Sequence, residues 1–344
     1  MVDYALLEKL CLADAISGDE ESVRDIVVSE IRDYADEIRI DNLGNILVHK
    51  RGRNPAVNRL MLSAHLDEVG LMVTDITSDG YLKFDMVGGI ERRVLIGKRV
   101  SVGKNKLHGV IGIKPVHLTH GDEDMTIPEL SEMYIDVGAK STEDALQYIN
   151  YGDSVYFVSE FTQTEKKICS KAIDDRFGCL VLISLIKSEL EYDMDFAFVV
   201  QEEVGLRGAK AAAYSVNPDF ALVFEATTAA DTPESETDRK VCRLGDGAVI
   251  SLMDRHTIYD KRLISAAFEL AEKNGVKVQY KKAVAGGNDA GVIHQSRSGV
   301  RTLAISLATR YLHSPSCVAD KDDCESVISL AFAFADQIAG GMIS

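Results

Sequence analysis

The sequence lacks tryptophan, contains only 6 prolines, and has fewer basic than acidic residues. Its 38 Lys and Arg against 54 Asp and Glu give a formal net charge of −16 at pH 7. Nucleic acids and anionic membrane surfaces both bind basic patches, so this balance argues against either as a partner. No apolar run approaches the ~18 residues of a membrane-spanning helix. We therefore expect no nucleic acid and no membrane among the partners of this chain.

Cysteine is also sparse. The 6 cysteines form no C-x-x-C pair, and their density is far below that of a disulfide-stapled domain. Residues 1–21 are acidic and lack the basic start and apolar centre of a secretory signal. Reduced thiols and a cytoplasmic location are the expectation.

The sequence contains enough apolar residues for a large hydrophobic core. Hydrophobic residues make up 46% of 344 residues, a length that favours two domains over one. Residues 1–68 and 162–344 alternate apolar strands with helical periodicity, as α/β folds do. Between them, residues 69–161 contain short apolar runs separated by glycines and turns. We expect an α/β fold, a mixed sheet flanked by helices, with an inserted small domain at 69–161 that is a compact β-barrel or sandwich.

Two adjacent carboxylates, Glu202 and Glu203, follow the apolar run 196–200 after a single residue. In open α/β sheets, binding sites collect beyond the carboxyl ends of strands. Neighbouring carboxylates at such a point repel each other unless a cation compensates, and a metal ion is the usual compensator. The pair therefore predicts a metal site at this strand end.

Further potential ligands occur at strand ends or at the start of a helix. They are His65, Asp67, Asp174, Asp175, Glu225 and His313. Each alone has an ordinary structural explanation, such as helix capping or a half-buried histidine. Together, nitrogen and oxygen donors without a thiolate suit Zn²⁺, Co²⁺ or Mn²⁺ in an open catalytic site. Two metals with one bridging carboxylate, plus one His and one carboxylate each, would use five ligands and leave Glu202 as a base.

Five motifs, in this order, are similar to those of the M42 family of metallo-aminopeptidases, which includes tetrahedral, glutamyl and deblocking aminopeptidases. They are His65-Leu66-Asp67-Glu68-Val69-Gly70, Ala172-Ile173-Asp174-Asp175-Arg176, Gln201-Glu202-Glu203-Val204-Gly205, Gly286-Gly287-Asn288-Asp289-Ala290 and Arg310-Tyr311-Leu312-His313-Ser314. The β-rich stretch 69–161 lies where this family inserts its small domain. The resemblance implies a zinc-peptidase-like fold and removal of N-terminal residues from peptides.

The resemblance also implies a set of metal ligands. Two divalent ions would be bound, Zn²⁺ or Co²⁺, with Mn²⁺ as a further option. His65 and Glu225 would both bind the first ion. Glu203 and His313 would bind the other ion. Asp174 would bridge the two.

By the same resemblance, Glu202 would be the general base that takes a proton from the attacking water. Asp67 would orient His65, which lies two residues away on the same side of an extended segment. Asp175 would have a structural role beside the bridging ligand. The inserted domain would mediate dimerisation, and dimers would assemble into a tetrahedral dodecamer.

Three positions depart from the family pattern. The family commonly has Asp where this chain has Glu225, and Thr where it has Asn288. Many members carry a Glu where this chain continues with Ser314-Pro315. Glutamate still supplies a hard oxygen ligand, so the chemistry should survive, whereas the metal preference is open.

The residues leave other functions open. A dinuclear-metal amidohydrolase or deacylase would use the same ligands on a non-peptide amide. A glycoside hydrolase would need two carboxylates about 5–9.5 Å apart across a sugar, and some family members have carried a glucanase label. A non-catalytic binding protein on a hydrolase fold is the third alternative. The preferred N-terminal residue cannot be read from the motifs.

Overall fold

The computed structural model describes residues 1–118, 126–233 and 240–343. These residues form a large mixed sheet flanked by helices and a closed barrel, as expected from the sequence. The strands are β1 (Glu37–Ile40), β2 (Ile46–Lys50), β3 (Leu60–His65), β4 (Gly70–Ile76), β5 (Leu82–Val87), β6 (Arg99–Val102), β7 (Leu107–Gly112), β8 (Tyr134–Asp136), β9 (Ser154–Phe157), β10 (Thr162–Gln163), β11 (Lys167–Ser170), β12 (Met194–Val199), β13 (Phe220–Thr228), β14 (Ala248–Ser251), β15 (Val278–Lys281), β16 (Arg301–Arg310) and β17 (Cys317–Asp320). The helices are α1 (Tyr4–Leu12), α2 (Glu21–Ile31), α3 (Arg92–Leu95), α4 (Thr142–Ala145), α5 (Ile173–Lys187), α6 (Arg207–Val216), α7 (Lys261–Asn274), α8 (Ala290–Ile293) and α9 (Lys321–Ala339).

Four parallel strands form the centre of the large sheet. The sheet runs in the order β1-β2-β12-β3-β13-β16-β17-β11-β10, and β14 and β15 join it through β16. Strand β3 pairs in parallel with both β12 and β13, and β13 pairs in parallel with β16. These strands are buried along almost their whole length, because helices cover both faces of such a sheet. Their carboxyl ends consequently meet at one edge.

Two of these strands are longer than the apolar pattern predicts. The sequence suggests ends at Phe224 and Leu307, whereas β13 continues to Thr228 and β16 to Arg310. The two extensions pair with each other, so their polar residues still have backbone hydrogen bonds. As a result Glu225 lies inside a strand rather than just after it.

The inserted segment forms a closed antiparallel barrel of strand order β4-β5-β8-β7-β6-β9. All six runs that the sequence marks as strands are present. The sequence pattern also suggests one helix in this segment, at 142–151, but α4 spans only Thr142–Ala145. The barrel has a hydrophobic core of its own, separate from the core around the large sheet. Its exact limits at 69 and 161 stay a prediction.

The C-terminal helix α9 packs across the sheet with ten buried residues along its 19. The Asp320 side chain caps it by accepting the backbone N–H of Asp322. No helix in the described part of the chain combines the length and the apolar character needed to cross a membrane.

Candidate metal centre

The shared edge of the central strands gathers all five predicted metal ligands. His65 ends β3, Glu203 follows β12, Glu225 lies in β13, His313 follows β16, and Asp174 lies in the first turn of α5. They come from sequence positions up to 248 residues apart (313 minus 65). The parallel arrangement is what brings them together.

The first group consists of His65, Asp174 and Glu225, all buried. The Nε2 atom of His65 lies 3.4 Å from Asp174 Oδ1 and 3.7 Å from Glu225 Oε2. One potential ligand atom from each residue falls within 4.8 Å of the others. The second oxygen of Glu225, Oε1, is buried and has no hydrogen-bond partner within the part of the chain that the structure describes. This group could hold one metal ion.

The second group consists of Asp174, Glu203 and His313. The Nε2 atom of His313 lies 3.5 Å from Asp174 Oδ2 and 3.3 Å from Glu203 Oε2. Asp174 thus turns one carboxylate oxygen to each group. A carboxylate placed in this way could bridge two metal ions.

Both histidines are oriented by carbonyl oxygens at their other ring nitrogen. His65 Nδ1 lies 3.0 Å from the carbonyl oxygen of Asp67, while the Asp67 carboxylate is 3.6 Å away. His313 Nδ1 lies 2.7 Å from the carbonyl oxygen of Gly89. If each Nδ1 carries the hydrogen, each Nε2 keeps its lone pair for a metal ion. Gly89 belongs to the inserted segment, so the barrel contributes to the site.

The carboxylate of Asp67 has a different set of partners. It accepts hydrogen bonds from the hydroxyl of Ser17 at 2.6 Å and from the backbone N–H groups of Glu202 at 3.0 Å and Glu203 at 3.1 Å. Asp67 is fully buried. It therefore holds the turn after β12, in addition to orienting His65 through its carbonyl group.

Glu202 lies beside these two groups but is a member of neither. Its carboxylate comes within 4.8 Å of ligand atoms of His65 and Glu203. It is less buried than His65 and lines the adjacent cleft. With His65 and Glu203 it forms a third group whose ligand atoms could hold a metal ion.

Asp175 and Asp289 are buried carboxylates next to the site. Asp175 accepts the backbone N–H of His65 at 3.1 Å and that of Gly178 at 3.0 Å, and it bridges strand and helix. Neither carboxylate oxygen of Asp289 has a hydrogen-bond partner among the described residues. Burial raises its pKa to about 7. Sequence reasoning assigned no role to Asp289, although the glycine-rich motif at 286–291 marks its surroundings.

Burial and mutual contacts shift the pKa values of these groups. Burial raises the pKa of Glu203 to about 7 and that of Glu225 well above its ordinary value. Burial lowers the pKa of His313, but the hydrogen bond with Asp174 and the charge of Glu203 outweigh it and raise that pKa to about 9. A cation close to these carboxylates would favour their ionised forms.

Comparison with known proteins places these residues in context. A family model described as M42 glutamyl aminopeptidase matches residues 44–330. A putative aminopeptidase of Acetivibrio thermocellus is 40% identical over 329 residues, covering 95% of this chain and 96% of its own. The lysyl aminopeptidase of Pyrococcus furiosus is 33% identical, covering 98% of both chains.

Among solved structures, the TET1 peptidase of Pyrococcus horikoshii superposes with a TM-score of 0.85 at 34% identity. The match covers 98% of this chain and 99% of that one. That peptidase is described as assembling into a tetrahedron or a large octahedral shell. The similarity extends over the large sheet and the barrel together.

Proposed function

Because the chain belongs to the M42 glutamyl aminopeptidase family, we propose that it removes N-terminal residues from peptides with the help of two divalent metal ions. The observation that carries the proposal is the pair of ligand groups sharing Asp174. His65 and Glu225 would complete one ion site, and Glu203 and His313 the other.

The residues fit such ions. Carboxylate and imidazole donors without thiolate suit Zn²⁺, Co²⁺ or Mn²⁺. The unpartnered oxygen of Glu225 offers a further lone pair inside the first group. Three buried carboxylates around two histidines are costly as anions unless a cation joins them. A metal ion at each group would replace the protons that otherwise neutralise Glu203 and Glu225.

When bound, the ions would polarise the scissile carbonyl and make the attacking water more acidic. The Glu202 carboxylate would take the proton of that water and pass it to the leaving amine. Burial raises the pKa of Glu202, and the charge of His65 opposes this. Cations nearby would favour the ionised base. Asp67 holds the backbone of Glu202 and so keeps the base in position.

Membership of the family leaves the preferred residue open. The family model is described as glutamyl, whereas the Pyrococcus furiosus relative is a lysyl aminopeptidase. The substrate preference of this chain therefore has to come from its own cleft.

A panel of aminoacyl-anilides tests the proposal. Chelator-stripped protein should be inactive, and adding Zn²⁺, Co²⁺ or Mn²⁺ should restore hydrolysis. N-acyl-amino acids serve as the matched comparison, because a deacylase would prefer them. Hydrolysis that resists complete metal removal, or activity on N-acyl substrates alone, would contradict the proposal.

The enzyme would work as a homo-oligomer, built from dimers that form a tetrahedral dodecamer. The similarity to a peptidase that forms such shells supports this. Residues 69–161 would mediate dimerisation, and the barrel exposes Val110, Tyr148 and Tyr151 on its surface. Residues 1–68 and 162–344 would form the catalytic domain. Light scattering would give the mass, and a monomer at every concentration would rule the assembly out.

We also place the enzyme in the cytoplasm. All 6 cysteines are free, which suits a reducing compartment. Cell fractionation with an antibody to the protein checks this, and recovery outside the cytoplasm would refute it.

A further inference from the structure

A groove of about 680 Å³ lies between α6 and the segment 292–297. Its lining includes three cationic residues, Arg207, Lys210 and Arg297, and no Asp or Glu. The whole chain has a formal net charge of −16, so this surface has the opposite sign to the protein around it. We call it the basic groove. Neither the ligand groups nor the general base accounts for its cations.

The protein does not neutralise these three cations itself. Within the described residues, no carboxylate oxygen lies within 4.0 Å of their charged nitrogens. Arg207 and Lys210 are both exposed, and the Nη1 atom of Arg207 donates to the side-chain oxygen of Gln201 at 3.3 Å. An anion in the groove could therefore accept charge-assisted hydrogen bonds from their remaining donors.

Arg297 is held in one orientation at the edge of the groove. Its Nε and Nη2 atoms donate to the carbonyl oxygen of Tyr214 at 2.9 and 2.6 Å, and its guanidinium lies 4.0 Å from the centre of the Tyr214 ring. Its backbone has a φ of +52°, a left-handed conformation that is unfavourable for a residue with a Cβ. A cation that is already ordered in this way loses little side-chain entropy when it binds an anion.

The basic groove begins next to the proposed catalytic base. The backbone N–H of Arg207 donates to the carbonyl oxygen of Gln201 at 3.1 Å, so the first cation comes directly after the turn that contains Glu202. The preceding residue, Leu206, lines the cleft beside the ligand groups. Cleft and groove consequently meet at residues 206 and 207.

From that point the groove follows α6 away from the turn. Arg207, Lys210 and Tyr214 are three and four positions apart (210 minus 207 and 214 minus 210), so they share one face of the helix. Seven positions of an α-helix measure about 10 Å. An extended peptide covers that distance with about three residues. The groove thus has the length of a short stretch of peptide that continues from the cleft.

We propose that the basic groove binds acidic side chains of the peptide substrate downstream of the residue that is removed. The inference rests on the proposed aminopeptidase function and adds a preference within the part of the peptide that is retained. Charge identifies the occupant, because the groove has unpaired cations whereas carboxylates line much of the cleft. Acidic downstream residues would pair with these cations, and basic ones would be repelled.

The test compares two peptides that differ only in charge. Both begin with the residue whose anilide is cleaved fastest, continue with two alanines and then with three glutamates or three glutamines, and end in an amide. We expect kcat/KM for release of the first residue to be about 3- to 30-fold higher for the glutamate peptide, as three exposed ion pairs would give. In about 0.5 M NaCl the ratio should fall close to 1, because salt screens exposed charges.

Two double variants test whether the groove is the cause. Arg207→Met combined with Lys210→Met should lower the ratio at least about 3-fold. Lys261→Met combined with Lys273→Met is the matched control, because it removes two exposed lysines of another helix, α7, that line neither cleft nor groove. This control should keep the natural ratio.

The single variant Lys210→Met leaves Arg207 and its contact with the Glu202 turn in place. It should still lower the ratio, by a smaller factor than the double variant. Metal content and circular dichroism of each variant establish that it is folded and loaded.

The outcomes separate this proposal from the proposed function. Equal kcat/KM for the two peptides, or a preference that survives in the double variant of the groove, would overturn the role of the groove and leave the aminopeptidase function standing. Failure to release the first residue from any peptide or anilide would overturn both. If the double variant of the groove lowers the mass in light scattering and leaves the ratio unchanged, the groove contacts a second copy of the chain, and the proposal is wrong.

Discussion

Asp67 accepts a hydrogen bond at 3.0 Å from the backbone N–H of Glu202, so a residue two positions beyond the end of β3 holds the turn that follows β12. The same carboxylate binds Ser17 and the backbone of Glu203. It thereby ties the proposed base and one proposed ligand to His65, whose ring is oriented by the Asp67 carbonyl group.

Replacing Asp67 by Asn should impair catalysis without unfolding the protein. An amide keeps one acceptor oxygen but turns an NH₂ group toward backbone N–H donors, so the turn after β12 loosens. We expect kcat or metal affinity to fall about 10- to 100-fold, as for other residues that orient metal ligands. Ser17→Ala removes one of the three bonds and should have a smaller effect. Wild-type kinetics and metal affinity in the Asp67→Asn variant would contradict this role.

Glu202→Gln should separate metal binding from turnover. The amide cannot accept the proton of the attacking water, so kcat should fall about 10²- to 10⁴-fold. The ligand groups remain intact, so the metal content measured by elemental analysis should stay unchanged. Glu269→Gln, on the exposed face of α7, is the control for loss of one negative charge. Turnover that persists in the Glu202→Gln variant would exclude Glu202 as the base.

Metal binding should release protons at neutral pH. Glu203, with its pKa raised by burial to about 7, and His313, with a pKa of about 9, must both lose their protons to become ligands. Titration of stripped protein with Zn²⁺ in weak buffer at pH 6.5 should therefore release more protons than at pH 9. Equal release at both values would show that the ligands are already deprotonated.

The same pKa shifts predict how stripped protein responds to pH. Glu203 and His313 both have folded-state pKa values above their ordinary 4.5 and 6.5. Such groups stabilise the fold below the unfolded value, and the stabilisation is lost as pH rises through the folded value. Stripped protein should lose stability between about pH 5 and 9, and metal-loaded protein should lose less. Urea unfolding at several pH values measures the difference.

Gly88→Ala should strain the contact between barrel and site. Gly88 has φ of +89°, and an added Cβ would lie 2.8 Å from Val69 Cγ1 and 3.2 Å from Glu203 Cβ. Gly138 has a similar φ of +78°, but its Cβ would meet nothing within 4 Å. Both alanines carry the backbone cost of about 1 kcal/mol, and Gly88→Ala should lose a further ~1–3 kcal/mol from overpacking. Equal losses in urea unfolding would show that the neighbours of Gly88 move aside.

Lys171→Met should destabilise the fold strongly. The Nζ atom of buried Lys171 lies 2.8 Å from both Asp14 and Glu68, and Glu68 is itself buried. Removing this cation leaves the Glu68 carboxylate with the backbone N–H of Ala15 at 3.2 Å and the longer 3.5 Å contact to Arg176, so we expect a loss of about 3–5 kcal/mol. Lys106→Met removes a half-exposed partner of Asp14 and should cost less than about 1 kcal/mol. A loss of similar size in both variants, from urea unfolding, would count against the buried network.

Much of the candidate site could be predicted because its ligands follow recognisable strands. His65 and Glu203 come at or just after apolar runs, and parallel strands bring such positions to one edge. Glu225 was expected just beyond a strand and lies within one. Its strand continues because pairing with β16 satisfies the backbone of polar residues, a partnership that apolar periodicity does not record.

The carbonyl contacts at the site could not be predicted. Gly89 is 224 residues from His313, and its contact uses a backbone oxygen that every residue type possesses. The bonds from Asp67 to the Glu202–Glu203 turn also reach backbone groups. Contacts of this kind leave no pattern of residue types in the chain, so they become visible only when the elements are packed.

The sequence by itself determined the mixed sheet, the six barrel strands and the identity of the residues that converge, because burial periodicity and strand-end chemistry are local properties. The tertiary structure decided which of those residues contact one another and which ligand group each one joins. It turned the two oxygens of Asp174 toward different ligand groups and brought the barrel's Gly89 to His313. These relationships depend on distances between distant segments, which the packing of strands and helices sets and residue order alone does not.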